Sequence, residues 1–522
     1  MEMIRQQKYV SIGEALDMGM QFAVAGLHKD ACEIYKGVLE QDPGNFEAVM
    51  RMGASKFEAR EFYEAFYWFW FGLKIDPHHP LSLTNYGLCI SQLGHAEEGL
   101  PYLERATKRA DKVGSSVVVR SLAYNNLGNT YERLGRYEEG LAALEVGIDI
   151  NPEDPFPHYN RGICLLRLGR QMEALDALDR SMALRPQATD TPSRLNLADA
   201  LYNRSMAKLL LGDLPGGFTD YEGRLTSSEN DTPNLNLPAN KKWTGQDLTG
   251  KTVLAHGEQG LGDMIQFIRF LPGLVARCDK VKLIIHSALR EMCRSIEGIE
   301  VIDPGEDGLV PIPKYEHWVA LMSLPHMLGL DTEEKLPAPW RPPVEGERII
   351  KWRDRLAISI LDKDKPTVVV CWAGNFKHKN NEHRSIPLGV FAKLFAADCN
   401  FVSVQQMQEF EREEFKELKK KHLNLTAIYL DDFRDTAAVM HNAHLVISAD
   451  TSVAHLAGTI GVPTWVLIPK FSTDWRWQLG RQDSPWYPSA RLIRQERTDG
   501  WERTIAKTKA ELDKFGATAR VA

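Results

Sequence analysis

Small residues recur through the first 225 positions with a long period. Glycine stands at Gly19, Gly53, Gly87, Gly128 and Gly162, in steps of 34, 34, 41 and 34 residues. Twelve residues after each comes another small side chain: Ala31, Ala65, Gly99, Gly140 and Ala174. Twenty-four after it, four of these five units have proline, at Pro43, Pro77, Pro152 and Pro186. The third unit instead runs on through Lys108–Arg120, which accounts for its seven extra residues. Leu-Gly pairs at Leu93–Gly94, Leu134–Gly135, Leu168–Gly169 and Leu211–Gly212 mark the turns. The spacing predicts two antiparallel helices per unit. Small residues let the pair approach closely, and proline ends the second helix. A sixth unit is expected over Arg194–Leu225, with Ser205 at the glycine position.

The pattern then changes. Ser227–Asn240 is polar and contains proline, as a connector would. Short apolar runs follow at Thr252–Ala255, Val281–Ile285, Val301–Ile302 and Trp318–Ala320. After the proline-rich joint Pro337–Pro343 a second series begins: Thr367–Trp372, Phe401–Val404, Ala427–Leu430, Leu445–Ser448 and Thr464–Ile468. Helices fit between them at Leu388–Ala397, Glu409–His422, Asp435–Asn442 and Ser452–Ile460. Two β-α-β series predict two doubly wound parallel-sheet domains. The boundaries are a helical solenoid over 1–226, a linker over 227–242, a first α/β domain over 243–345, and a second with a C-terminal helix over 346–522.

Composition narrows the class. Of 522 residues, 43% are hydrophobic and 25% charged, as in a soluble globular protein. The net charge of −7 gives no overall pull toward nucleic acid or anionic lipid. No apolar run reaches membrane-helix length, and Met1–Lys8 lacks the apolar core of a signal peptide. The seven scattered cysteines form no Cys-x-x-Cys pair, so reduced thiols in a cytoplasmic protein are expected. The aromatic run Phe66–Phe71 is expected to pack between repeats. Asn125, Asn126, Asn160, Asn196 and Asn203 fall on first helices, where they either bind an extended peptide or are simply solvated.

The chemistry gathers at strand-to-helix turns. His256–Gln266 reads as a glycine-rich turn, with the amides of Gly260 and Gly262 and a helix N-terminus forming an anion site. Asp263 stands at its mouth, where the helix dipole would lower its pKa. A second turn of this kind occupies Asp450–Ser452, where Thr451, Ser452 and their amides can cradle phosphate. Asp362–Asp364 precedes a strand, and His441 and His444 straddle an element boundary, so no metal site is read.

The repeat period resembles tetratricopeptide repeats. Four segments together resemble the heptosyltransferase-like glycosyltransferases, which have two Rossmann-like domains (the GT-B fold). These are His256–Gln266, Trp372–Asn375 with Arg384–Leu388, Asp435–Ala437 with Asp450–Gly458, and the tail Asp474–Trp477 with Ser484–Pro488. The layout is also similar to the O-linked N-acetylglucosamine transferases. The resemblance implies an inverting, metal-independent transfer from a nucleotide-sugar co-substrate, with no other cofactor. The acceptor would be a protein or peptide on the concave face of the repeats. It gives the base to Asp263, which otherwise positions the acceptor or holds its turn, and Glu258 is the back-up. Donor-side residues would be Gly260, Gly262, Asn375, Arg384, one of Lys377 or Lys379, Gln405, Asp432, Asp450, Thr451, Ser452 and His455, the last facing the diphosphate. Glycine is usual in the family where Ser452 stands, which bears on the phosphate geometry. Two alternatives remain: a non-catalytic scaffold, and an enzyme whose acceptor is a nucleic-acid base. For the latter Arg476, Arg481, Arg491, Arg494 and Arg497 would act with Trp475, Trp477, Trp486 and Tyr487.

Overall fold

The computed structural model describes residues 11–184, 197–227, 235–360, 362–376, 381–496 and 500–519. Pro186, Asn196, Lys377, Lys379 and Arg497 fall outside the described residues, as does part of the 227–242 connector. The chain divides into two compact units, Met1–Arg204 and Ser205–Ala522.

The first unit is a stack of helix pairs: Ile12–Val24 with His28–Gln41, Phe46–Glu58 with Phe62–Ile75, Pro80–Gln92 with Ala96–Lys112, Val117–Arg133 with Tyr137–Ile150, and Pro155–Arg167 with Gln171–Ala183. Its periodic glycines have a packing reason. A β-carbon at Gly53 would lie 2.6 Å from Phe69, at Gly128 2.5 Å from Leu144, and at Gly162 2.7 Å from Leu178. In each pair the large side chain comes sixteen residues after the glycine, and the same offset joins Gly19 to Tyr35 and Gly87 to Leu103. The extra residues of the third unit lengthen the helices on either side, Ala96–Lys112 and Val117–Arg133, to 17 residues each.

The aromatic run behaves differently from expectation. Phe69 is buried and Phe66 and Trp68 are half-buried, but Tyr67, Trp70 and Phe71 face outward. Six successive aromatics on one helix cannot all face a single neighbour, because the helical period spreads them over its whole circumference. The asparagines bond mainly to one another. Asn160 donates to Asn125 at 2.8 Å, and Asn129 donates to Asn160 at 3.5 Å. Asn125 and Asn126 are buried, and Asn125, by accepting from Asn160, joins two first helices.

The second unit opens on the end of the helical array, with helix Leu214–Tyr221 and the 3-10 turn Glu222–Leu225. Two parallel sheets follow. The first holds β1 (Thr252–His256), β2 (Lys280–Ile284), β3 (Ile299–Val301) and β4 (His317–Ala320), in the order β3-β2-β1-β4. The second holds β5 (Thr367–Cys371), β6 (Asn400–Ser403), β7 (Leu425–Ala427), β8 (Leu445–Ala449), β9 (Thr464–Ile468) and β10 (Ala490–Arg494), in the order β10-β9-β8-β5-β6-β7. Every residue of β5, β8 and β9 is buried, as suits strands covered on both faces, and their sequences are accordingly continuous apolar runs. In each sheet the winding reverses at one strand, whose two neighbours both come later in the chain but lie on opposite sides: β1 lies between β2 and β4, and β5 between β6 and β8. Ligands in open α/β sheets bind at such switch points, beyond the strand C-termini.

Three elements depart from the apolar pattern. β7 lies earlier than Ala427–Leu430, because Leu425 pairs with Phe401 and is buried while Tyr429 points outward. The helix expected over Leu388–Ala397 is a short α-turn, Leu388–Phe391, followed by a 3-10 turn, Ala392–Ala396. β10 is an edge strand that arginines at Arg491 and Arg494 disguise as a charged tail.

Candidate functional site

β1 delivers the glycine-rich turn. Gly260 precedes the helix Leu261–Phe267, and its amide donates to Asp263 Oδ2 at 2.7 Å. The Gly260 amide is therefore taken by the protein's own carboxylate. Just before it, Gln259 has a φ of 61°, in the left-handed region where a non-glycine residue is strained. The Tyr221 hydroxyl braces it, donating to Gln259 Oε1 at 3.0 Å.

Glu258 has a different place from a back-up base. Its carboxylate is fully buried and paired with the equally buried Arg224 guanidinium. The Met322 amide also donates to it, and Ser323 accepts from Arg224. Two side chains removed from water in this way depend on each other, and taking one away leaves a buried charge uncompensated. Glu258 is thus an anchor for the turn, out of reach of a substrate.

The other carboxylate of the turn remains accessible, with 22% of the Asp263 side chain exposed. Its Oδ1 meets Arg476 Nη2 at 2.5 Å. The helix dipole was expected to lower this pKa. Burial instead pushes it up from the ordinary aspartate value, against the opposing charge of Arg476.

β8 delivers the second turn. Thr451 caps helix Ser452–Ile460, its hydroxyl accepting from the Val453 amide at 3.2 Å. Asp450 is 8% exposed. Burial, reinforced by the neighbouring Asp474 charge, pushes its carboxyl up to about 7. One turn on, His455 is enclosed. Its Nδ1 lies 2.9 Å from the Tyr487 hydroxyl, its ring stacks on Trp477 with centroids 5.3 Å apart, and Nε2 is 3.9 Å from Asp450 Oδ1. Burial, then the positive charge of Arg476, brings it down to about 3, so His455 is neutral. Its ring also meets the first turn, since a β-carbon on Gly262 would lie only 2.6 Å from His455 Cδ2. The missing side chain at Gly262 lets the two turns touch.

The tail completes the constellation. Arg476 is 2% exposed and is held by Asp474, whose Oδ1 and Oδ2 each lie 3.0 Å from its Nη1. Burial pushes Asp474 up, but the Arg476 charge together with the hydrogen bonds Arg476 gives it holds the carboxyl below its ordinary value. At the end of the short helix Asn381–Arg384, Arg384 lies over Gly374, just past β5, where a β-carbon would come 2.5 Å from Nη2. Its charge acts on Asp263, Asp450 and His455.

The remaining predicted residues are dispersed. Asn375 is exposed beside Gly374, and Ser452 is half-buried at the start of its helix. Gln405 ties down the end of β5, its Oε1 accepting from the Trp372 and Ala373 amides at 3.1 and 2.9 Å. Asp432 caps helix Phe433–His441 and pairs with Arg434. Trp475, Trp477, Trp486 and Tyr487 are all buried, so they offer no stacking surface to a nucleic-acid base. The sequence places Asp474 only within the tail motif, and Arg476 there and among the cations for a nucleic-acid base. Charged residues alternating with tryptophan in Asp474–Trp477 were the available signal, since large aromatics draw their neighbours into the interior.

Among the described residues no helix is long and apolar enough to cross a membrane. Residues 121–154 match the tetratricopeptide repeat family model. The chain is 24% identical over 476 residues to Protein FlbA of Caulobacter vibrioides, covering 83% of this chain and 73% of that protein. It is 22% identical over 157 residues to the probable UDP-N-acetylglucosamine--peptide N-acetylglucosaminyltransferase SPINDLY of Hordeum vulgare, which is 30% of this chain but 17% of that one. Among solved structures, the pilus biogenesis factor PilW is 18% identical with a TM-score of 0.35, covering 42% of this chain and 96% of PilW. YrrB, a tetratricopeptide-repeat protein with an unusual peptide-binding site, is 19% identical with a TM-score of 0.26, covering 36% of this chain and 92% of YrrB. The chain therefore carries tetratricopeptide repeats in its N-terminal part, a parallel-sheet α/β region after them, and a distant similarity to a SPINDLY-type transferase.

Proposed function

We propose that the chain is a nucleotide-sugar-dependent glycosyltransferase of GT-B type, inverting and metal-independent, acting on a protein or peptide held by its repeats. The observation that carries this reading is the meeting of two strand-to-helix turns through Gly262 and His455, with Asp263 on one and Asp450 on the other and the Arg384 charge acting on both. The resemblance to heptosyltransferase-like enzymes supports it. The name of the SPINDLY relative supports a peptide acceptor.

In this reading Asp263 accepts the proton of the acceptor hydroxyl as its oxygen attacks the anomeric carbon. The bond from that carbon to the diphosphate breaks on the opposite face, and the nucleoside diphosphate leaves with the electron pair. Burial raises the Asp263 pKa, which makes it a better base than an aspartate at a bare helix N-terminus. Arg384, with Lys377 or Lys379, opposes the charge on the leaving diphosphate. Thr451 and Ser452 offer the start of their helix to phosphate, and Asn375 serves the donor from the loop after β5.

Calorimetry of the full chain with a panel of sugar nucleotides, followed by intact mass of candidate acceptors, tests this. One sugar nucleotide binds and is transferred. Asp263→Asn still binds it but loses about a hundredfold or more in turnover, the scale of a missing general base. Binding of none of the panel would leave a scaffold, and full turnover by the variant would remove Asp263 from the chemistry.

A further inference from the structure

Arg476 holds two carboxylates in different ways. Asp474 grips it firmly, accepting its backbone amide and bridging Nη1 with both oxygens. Asp263 touches Nη2 at 2.5 Å as an ion pair, but no N–H of that nitrogen is aimed at it as a hydrogen bond. Asp263 has a second support in the Gly260 amide, so it stays oriented without the arginine. Among the described residues, the buried Nε atoms of Arg476 and Arg384 have no hydrogen-bond acceptor. Donors buried without acceptors are costly, and a ligand rich in acceptor oxygens relieves that cost. A diphosphate has such oxygens and more charge than one carboxylate, so it competes well for a guanidinium fork.

We propose that Arg476 is shared between Asp263 and the donor's diphosphate. It neutralises Asp263 in the free protein, then turns to the phosphates of an entering nucleoside diphosphate group and releases the carboxylate for the acceptor. The donor thereby prepares the base, and Arg476 acts as a catalytic residue. Asp474 is the fixed pivot, because its hold on Nη1 and the backbone amide does not depend on which partner Nη2 faces. The inference rests on the transferase reading and adds a residue and an order of binding to it.

The test is the affinity of UDP, GDP and ADP for the full chain by calorimetry, with the tightest of the three carried forward. If Asp263 competes with the diphosphate for Arg476, Asp263→Asn binds that nucleotide about fivefold or more tightly than the parent, the lower end of coupling between linked sites. Arg476→Met weakens binding, and adding Asp263→Asn to it brings no gain. Arg476→Lys, which keeps the charge and loses the fork, serves in the same cycle if the methionine variant fails to fold. Equal or weaker binding by Asp263→Asn overturns the sharing while leaving the transferase reading intact. So does an equal gain from Asp263→Asn with the arginine already removed. Binding of none of the three nucleotides by the parent overturns the sharing, while the transferase reading stands or falls on the sugar-nucleotide panel.

Discussion

Asp450 and His455 lie 3.9 Å apart and burial pushes both toward the neutral form, one by favouring its proton and the other by disfavouring it. Their effects on stability have opposite signs. Asp450 titrates near 7 in the folded chain and near 3.8 when unfolded, so its contribution is lost as pH rises between those values. His455 titrates near 3 when folded and near 6.5 when unfolded, so its contribution is lost as pH falls through that window. In the parent the two slopes oppose each other. Asp450→Asn leaves the histidine slope alone. Its stability relative to the parent therefore climbs as pH rises from about 4 to about 7, by at most about 1.4 kcal/mol per pH unit. Urea midpoints at several pH values measure this, and parallel curves for the two proteins would contradict it. At this scale the sequence was legible where a motif carried the residue. Asp263, Arg384, Asp450 and His455 all come to the meeting turns. It was not legible where a long-range partner decided the role. Glu258 sits on the same loop as Asp263, yet Arg224, 34 residues earlier, takes it into the interior.

Helices and strands were easier to read than their ends, because periodicity reports a buried face and not a terminus. The glycine positions were visible as a repeat, but their reason is steric and lies sixteen residues downstream. A matched pair of substitutions separates the two effects of a helical glycine. At Gly128 a β-carbon would lie 2.5 Å from Leu144 and 3.0 Å from the Gly140 carbonyl oxygen, while at Gly37 nothing lies within 4 Å. Gly128→Ala should therefore cost about 1–3 kcal/mol through overpacking. Gly37→Ala should stabilise its helix by about 0.5–1 kcal/mol. Chemical denaturation of both variants checks this, and the same sign for the two would remove packing as the reason for the period. In the second sheet the pattern placed best the strands buried along their whole length, β5, β8 and β9. The edge strands β7 and β10 were shifted or missed, since one side of an edge strand lacks a neighbour, which leaves β7 short and lets β10 carry Arg491.

For the molecule as a whole, two compact units predict a divided response to ligand. A sugar nucleotide at one hundred times its dissociation constant stabilises the unit that binds it by about 2.7 kcal/mol. Hydrogen exchange on the full chain should then slow in β5, β8 and helices Leu261–Phe267 and Ser452–Ile460. The helices from Ile12 to Arg133 should exchange as before. Equal slowing throughout would mean that the chain opens as a single body.

The last helix pair bears on how such a chain can vary. Phe218 and Tyr221 pack edge-on against Trp475, Phe218 also meets Phe267, and Arg224 closes on Glu258. By these contacts the segment after Ser205 is a fixture of the α/β region, although its sequence reads as one more repeat. Duplication or loss of repeats over evolutionary time is thus free to act upstream of it and is barred at the final pair. A chimera that brings in a foreign repeat array should be joined within helix Leu197–Leu210, keeping Leu214–Leu225 with the sheets it braces.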